Sequence, residues 1–392
     1  MFIDYTPEET KLKADLRAYF QELVTPELLD EITGTEGGGP LYTRALRRMG
    51  ADGWLGIGWP VEVGGRARPA IEQYIFFDEV QRAGFPIPFL TLCTVGPTLM
   101  KFGTDEQRAR MLPAILRGEL HFAIGYSEPE AGTDLASLKT RAVRDGDDYV
   151  VHGQKVFTSL AEYADYIWLA VRTDPVAPKH KGISILCVPT SADGFEWTPI
   201  VTVGGQQTTA TYYRDVRVPA ANLVGQENEG WRMITTQLNH ERVGLAAWSG
   251  MAAQLFDEVA IWAAATTTGD GRAVIDREWV RLDLARARCE LEAMRLLNWR
   301  MATAVAAGRV TPAESSAVKV FGTERILEIY RLLLGVSGAA GYLQTGSPEA
   351  LLAGRLEEAS RQAQINTFGG GVNEVQREIV AMAGLGMRRS GR

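Results

Sequence analysis

The order of residues predicts an α+β protein in consecutive blocks: a helical region over residues 1–120, a compact β-region over 121–228 and a second helical region over 229–392. Three observations carry this. A capped helical pattern opens the chain, a hairpin signal with β-branched and aromatic runs follows His121, and helical spacing returns after about Glu229. Helix and strand in separate blocks argue against an alternating βαβ nucleotide-binding fold.

Thr6-Pro7-Glu8-Glu9 is a helix start: the Thr6 hydroxyl can cap the first turn, Pro7 suits the first helical position and Glu9 can complete a capping box. Leu12, Leu16 and Phe20 then mark one face. Helical patterns dominate to about residue 120, broken by loops at Gly37-Gly38-Gly39-Pro40 and Gly84-Phe85-Pro86. Next, Arg141 to Arg144 and Tyr149 to Val151 flank Asp145-Gly146-Asp147-Asp148, which predicts a hairpin. Tyr166 to Val171, Ile183 to Val188 and Tyr212 to Val218 are further strands, closing a β-domain near Gly225. In the last block Leu284, Ala287, Leu291, Met294 and Leu297 recur at three- and four-residue steps.

Several function classes are excluded by what is missing. The longest apolar stretches, Ala246 to Met251 and Leu332 to Val336, are far below the roughly 20 residues that span a bilayer. The start lacks a basic stretch followed by an apolar run, so it reads as mature protein, and a cytoplasmic location is the expectation. Cys93, Cys187 and Cys289 are an odd number with no metal spacing, and are expected to be buried thiols. The histidines are equally scattered, so no metal site is expected. A net charge of −7 gives no reason to expect nucleic-acid binding.

The chemistry is concentrated in four segments. Tyr126-Ser127-Glu128-Pro129-Glu130-Ala131-Gly132-Thr133-Asp134 opens the β-domain with small and hydroxyl residues that can bring donors against a polar ligand. Gly153-Gln154-Lys155-Val156-Phe157-Thr158-Ser159, Asp215-Val216-Arg217-Val218-Pro219 with Asn222 and Gly225, and Asn373-Glu374-Val375-Gln376-Arg377 follow in order. Together they resemble, over essentially the whole chain, the signatures of the acyl-CoA dehydrogenases. That resemblance implies a β-barrel-like middle domain, a C-terminal four-helix bundle, and FAD as cofactor. Tyr126 and Ser127 would lie beside the flavin ring, Gly132 and Thr133 near the FAD or CoA phosphates, and Phe157 and Ser159 would flank the ring. Phe157 stands where a Trp is common, which keeps an aromatic wall and loses the indole donor.

Chemistry of this type needs a base for the acidified α-proton of the thioester while the β-hydride leaves for the flavin. Many members carry a Glu at the position matching Gly370, within Phe368-Gly369-Gly370-Gly371-Val372, so that base is absent here. A minority carry it on the first long helix after the β-domain, directly before an Arg. Leu238-Asn239-His240-Glu241-Arg242-Val243 matches, which nominates Glu241 as base and Arg242 as a residue setting its environment.

Two departures concern assembly. Related homotetramers reach the neighbouring FAD through Arg-x-x-Phe-Gly and Gln-x-x-Gly-Gly motifs, whereas this chain has Thr266-Thr267-Thr268-Gly269 and Gly335-Val336-Ser337-Gly338-Ala339 near those positions. Either FAD is bound by altered contacts or a different chain supplies the missing half of the site. The start Met1-Phe2-Ile3-Asp4-Tyr5-Thr6-Pro7, Gly125-Tyr126-Ser127-Glu128-Pro129, Asn239-His240-Glu241-Arg242 and Thr367-Phe368-Gly369-Gly370-Gly371 look closest to actinobacterial dehydrogenases of steroid side chains, a subgroup that includes α2β2 heterotetramers. The resemblance therefore implies a homologous partner subunit, a bulky acyl-CoA substrate and an electron-transfer flavoprotein as acceptor. A non-catalytic partner subunit and a related flavin oxidase or monooxygenase stand as alternatives.

Overall fold

The computed structural model describes residues 4–245 and 249–388, without the side chains of 238–245. Helices α1 (Pro7–Leu23), α2 (Pro26–Ile32), α3 (Pro40–Ala51), α4 (Ala70–Arg82), α5 (Gly96–Phe102) and α6 (Asp105–Leu116) come first. Thr6 caps α1 through the expected box, and Leu16 and Phe20 are buried. The Gly39 end of α3 has no capping side chain of its own; the Glu31 carboxylate accepts from the Leu41 and Tyr42 N–H groups instead.

Strands β1 (Phe122–Gly125), β2 (Arg141–Asp145), β3 (Asp148–Lys155), β4 (Tyr166–Arg172), β5 (Ile183–Pro189), β6 (Phe195–Val201), β7 (Gln207–Pro219) and β8 (Leu223–Val224) form one sheet. Its order is β6-β7-β3-β2-β4-β5-β8, with β1 parallel to β4. The hairpin forms at the expected place, Asp145 opposite Asp148, with Gly146 at φ 62° in the two-residue turn. The apolar runs of β4 and β5 have a common cause. Trp168, Ala170, Ile183, Ile185 and Cys187 face the core shared with the N-terminal helices, while Ile167, Leu169, Val171, Leu186 and Val188 face a second core inside the β-domain. Strands buried on both faces lose the polar alternation.

After the sheet come α7 (Gly230–Leu245), α8 (Gly250–Ala265), α9 (Glu278–Ala306) and α10 (Pro312–Ser337), then α11 (Arg355–Gln362) and α12 (Asn373–Ile379). Helix α10 packs on α7, α8 and α9, making a four-helix bundle; α4 packs on α8 and α9 and joins the two helical regions. Leu284, Ala287, Leu291 and Met294 are buried in the bundle core.

One expectation fails. Cys187 is buried and Cys93 half-buried, but Cys289 is exposed, because position 289 lies on the opposite side of α9 from the inward stripe through Ala287 and Leu291. Among the described residues no helix is long and apolar enough to cross a membrane, and no cluster of three His, Cys, Asp or Glu side chains could hold a metal ion.

Candidate active site

The loop that leaves β1 at Tyr126 is fastened to the end of β3. The Val156 N–H donates to the Ser127 carbonyl (2.9 Å), and Lys155, fully buried, donates through Nζ to the Glu128 carboxylate (2.9 Å) and the Tyr126 carbonyl (3.0 Å). Glu128 also accepts from the Lys139 and Thr140 N–H groups at 2.7 and 2.9 Å. Burial opposes ionisation of Glu128, but the Lys155 ammonium and these donors outweigh it and hold its carboxyl below the usual range. Burial pushes the Lys155 ammonium down to about 8 despite the pull of Glu128.

Beyond Lys155 the chain turns sharply. Phe157 has φ 59° and is 66 % exposed, so it is no core aromatic. Thr158 is pinned to β7: its N–H donates to the Thr209 carbonyl, and the Thr209 hydroxyl donates back to its own (2.9 and 2.6 Å). The Ser159 hydroxyl lies 3.2 Å from the Glu36 carboxylate and 3.1 Å from the Thr208 hydroxyl. Burial pushes the Glu36 carboxyl up to about 7, with the Ser159 hydrogen bond working against the rise and Glu162 adding to it. Tyr126, Ser127, Phe157 and Ser159 thus come together at one junction. Gly132 and Thr133 are apart from it, exposed on the outer part of the loop, with open space where a Gly132 side chain would be.

Helix α7 closes the junction from the bundle side. The Tyr126 hydroxyl accepts from the Trp168 indole N–H (3.1 Å) and donates to Gln237 Oε1 on α7. Position 241 is one turn further along, about 6 Å, on the same face as 237. Glu241 and Arg242 lie on α7, but their side chains fall outside the described residues. At the start of α7 a groove of about 430 Å³ is lined by His180, Lys181, Trp231 and Arg232 together with Asn228, Glu229 and Thr235, so that three basic side chains and one aromatic stand with a single carboxylate, Glu229, 4.0 Å from Arg232.

The glycine run after α11 has a backbone explanation. Gly370 and Gly371 have φ of 66° and 96°, and a Cβ on Gly371 would stand 2.6 Å from Gln376 Nε2. Lys319, buried on α10, holds the turn by donating to the Thr367 and Gly371 carbonyls (3.3 and 2.8 Å) and to Asn373 Oδ1 (2.7 Å). Gly370 has no carboxylate to offer. Thr266 to Gly269 forms a surface turn after α8, where the Thr268 hydroxyl bonds Asp270 and the Arg272 carbonyl. Gly335 to Ala339 covers the end of α10 and the turn that follows it.

Glu128, Lys155, Gln237 and Lys319 were not singled out from the sequence. Lys155 had a readable signal: Tyr149, Val151, Gly153 and Lys155 share a period of two, which sets a lysine in an inward register that demands an anion. Lys319 likewise shares the inward helical stripe of Thr323, Ile326 and Tyr330. Gln237 had no comparable signal, because its partner Tyr126 is 111 residues away.

Comparison with known proteins agrees with this architecture. Models of the N-terminal, middle and C-terminal domains of acyl-CoA dehydrogenase match residues 6–119, 123–216 and 228–385. Acyl-CoA dehydrogenase FadE26 of Mycobacterium tuberculosis is 53 % identical, each chain covered in full. Among solved structures, the Tcur3481-Tcur3483 steroid ACAD superposes with a TM-score of 0.94 at 55 % identity, covering 100 % of both chains. The ChsE4-ChsE5 complex from M. tuberculosis gives 0.93 at 53 %, again over the whole of both. By its sequence over all three domains and by its fold, this chain belongs to the acyl-CoA dehydrogenase family.

Proposed function

We propose that this chain is the working subunit of an FAD-dependent dehydrogenase that converts a bulky, steroid side-chain acyl-CoA to its 2-enoyl-CoA. In this reading it acts in an α2β2 assembly with a homologous subunit and passes electrons to an electron-transfer flavoprotein. One observation carries the catalytic part. Gln237 ties α7 to Tyr126 at the junction, so Glu241, one turn on, occupies the helix face that meets the site, while Gly370 can supply no base.

The junction fits an isoalloxazine in kind. It offers an exposed aromatic residue at Phe157, hydroxyls at Ser127 and Ser159, and a buried amide donor on Gln237 without a partner among the described residues, a set that a flat ring edged with acceptors would satisfy. FAD, when bound, supplies the hydride acceptor. Tyr126 and Ser127 support one side of the ring and Phe157 and Ser159 flank it, fixed by the Glu128–Lys155 pair beneath. Gly132 and Thr133, out on the open part of the loop, are placed to meet phosphates. The basic groove at the start of α7 suits the anionic end of CoA, about 15 Å along the helix from position 241. Glu241 takes the α-proton on its carboxylate, and Arg242 sets the charge beside it.

The substrate and assembly rest on the relatives: one similar structure is described as a steroid ACAD, and the other is a complex of two differently named chains. The replaced cross-subunit motifs support the same assembly, as do the apolar side chains of Ile261 on α8 and Trp279 and Leu282 on α9, which are exposed in the single chain. The deciding experiment purifies the chain alone and with a homologous partner, and compares turnover of octanoyl-CoA with a steroid side-chain CoA thioester. Flavin retained only with the partner, and a higher kcat/KM for the steroid, are expected. A flavin-replete homotetramer, or octanoyl-CoA turned over equally well, would sink the assembly or the substrate assignment respectively.

A further inference from the structure

Three groups in the junction form a directed relay. The Trp168 indole can only donate, so the Tyr126 oxygen accepts from it, and the Tyr126 hydroxyl in turn donates to Gln237 Oε1. With its oxygen held by Tyr126, Gln237 presents Nε2 with both of its protons, and this atom is buried without a partner among the described residues, on a residue 0 % exposed. An amide N–H stripped of water and given no acceptor is unfavourable, and such groups in native proteins call for an explanation. Leu or Met would fill the same volume at no such cost. The amide stands on α7 between the basic groove at Trp231 and position 241, and is joined to a residue of the β1 loop.

We infer that Gln237 is a ligand-orienting residue whose Nε2 donates to a carbonyl oxygen of the molecule bound between the Tyr126 loop and α7. This rests on the proposed dehydrogenase reading, which puts two carbonyl-bearing groups there: the flavin ring and the CoA thioester. Trp168 and Tyr126 then act as positioning residues, since Tyr126, held by Trp168, engages the oxygen of the amide and leaves its NH2 end for the ligand. A donor to the thioester oxygen would also hold the acidified α-proton in a fixed orientation toward position 241.

The test uses the flavin-loaded complex carrying Gln237→Met, which removes the donor at similar volume. Gln237→Glu serves as a second variant that keeps the acceptor for Tyr126 and, ionised, has no proton to give. Two readouts are taken: the flavin absorption bands without substrate, and the Kd of a non-reacting 3-thia acyl-CoA, which keeps the thioester carbonyl and carries sulfur in place of the β-carbon, titrated through its perturbation of those bands. A weakening of about tenfold with unshifted bands, the size of one lost hydrogen bond, assigns the amide to the thioester. Shifted bands before any acyl-CoA is added assign it to the flavin. If both variants keep the parent's bands and Kd, the amide meets only water and the inference is overturned, with the dehydrogenase reading intact. A parent complex showing neither flavin bands nor response to the analogue overturns that reading and this inference together.

Discussion

Lys155→Met is expected to loosen the Tyr126 loop from β3, and the size of the effect follows from the pair it breaks. Lys155 is fully buried and bonded to Glu128 and the Tyr126 carbonyl; Met matches its length and removes the charge. Breaking a buried ion pair from one side costs about 3–5 kcal/mol, because the other charge is stranded. Two features place this one near the lower end. Glu128 keeps its Lys139 and Thr140 donors, and burial already disfavours the Lys155 ammonium, so its removal returns part of the cost. Glu128→Gln sets an amide NH2 against one of those backbone N–H groups and leaves Lys155 unpaired, again about 3 kcal/mol. The double variant strands no charge, so its cost should fall short of the sum by more than about 1 kcal/mol. Urea unfolding of the flavin-loaded complex, followed by flavin release and tryptophan emission, gives the four stabilities. Losses that add to within about 0.5 kcal/mol would refute the reasoning, since independent sites add in this way.

Glu241→Gln should keep fold and flavin but lower turnover on the order of a thousandfold, because an amide cannot take the α-proton; stopped-flow bleaching of the flavin at the parent's rate would remove Glu241 as base. Gly371→Ala should destabilise by roughly 1–2 kcal/mol or more, from its left-handed φ of 96° and the approach to Gln376, read as a lower Tm. Glu36 gives a signed pH effect. Its folded carboxyl is raised from the ordinary 4.5 to about 7, so the folded state binds the proton more tightly. Its contribution is then full below about pH 4.5 and is lost as pH rises through 7. Glu36→Gln should flatten the fall in Tm between pH 5 and 8, and an unchanged slope would place the titration elsewhere.

The sequence alone determined the succession of helical, β and helical blocks, because caps, turns and apolar spacing are local. The Thr6 box, the Asp145–Asp148 hairpin and the stripe from Leu284 to Met294 each need only a few neighbouring residues to be recognised. It also placed the loop of Tyr126 and Ser127 and the turn of Phe157 and Ser159, which the fold brings to one junction. Local pattern said nothing of what lies beneath them. That Glu128 is answered by Lys155, Tyr126 by Gln237 and the glycine turn by Lys319 depends on groups 27 to 111 residues apart meeting where water is excluded. Local pattern likewise did not show why three glycines stand together after α11, whether for a turn or otherwise. The positive φ angles of Gly370 and Gly371 decide for the turn, since backbone handedness is set by where the chain must go next, and here that is the start of α12, held by the Lys319 ammonium. Burial makes these polar contacts obligatory, and only the tertiary structure determines which groups are buried together.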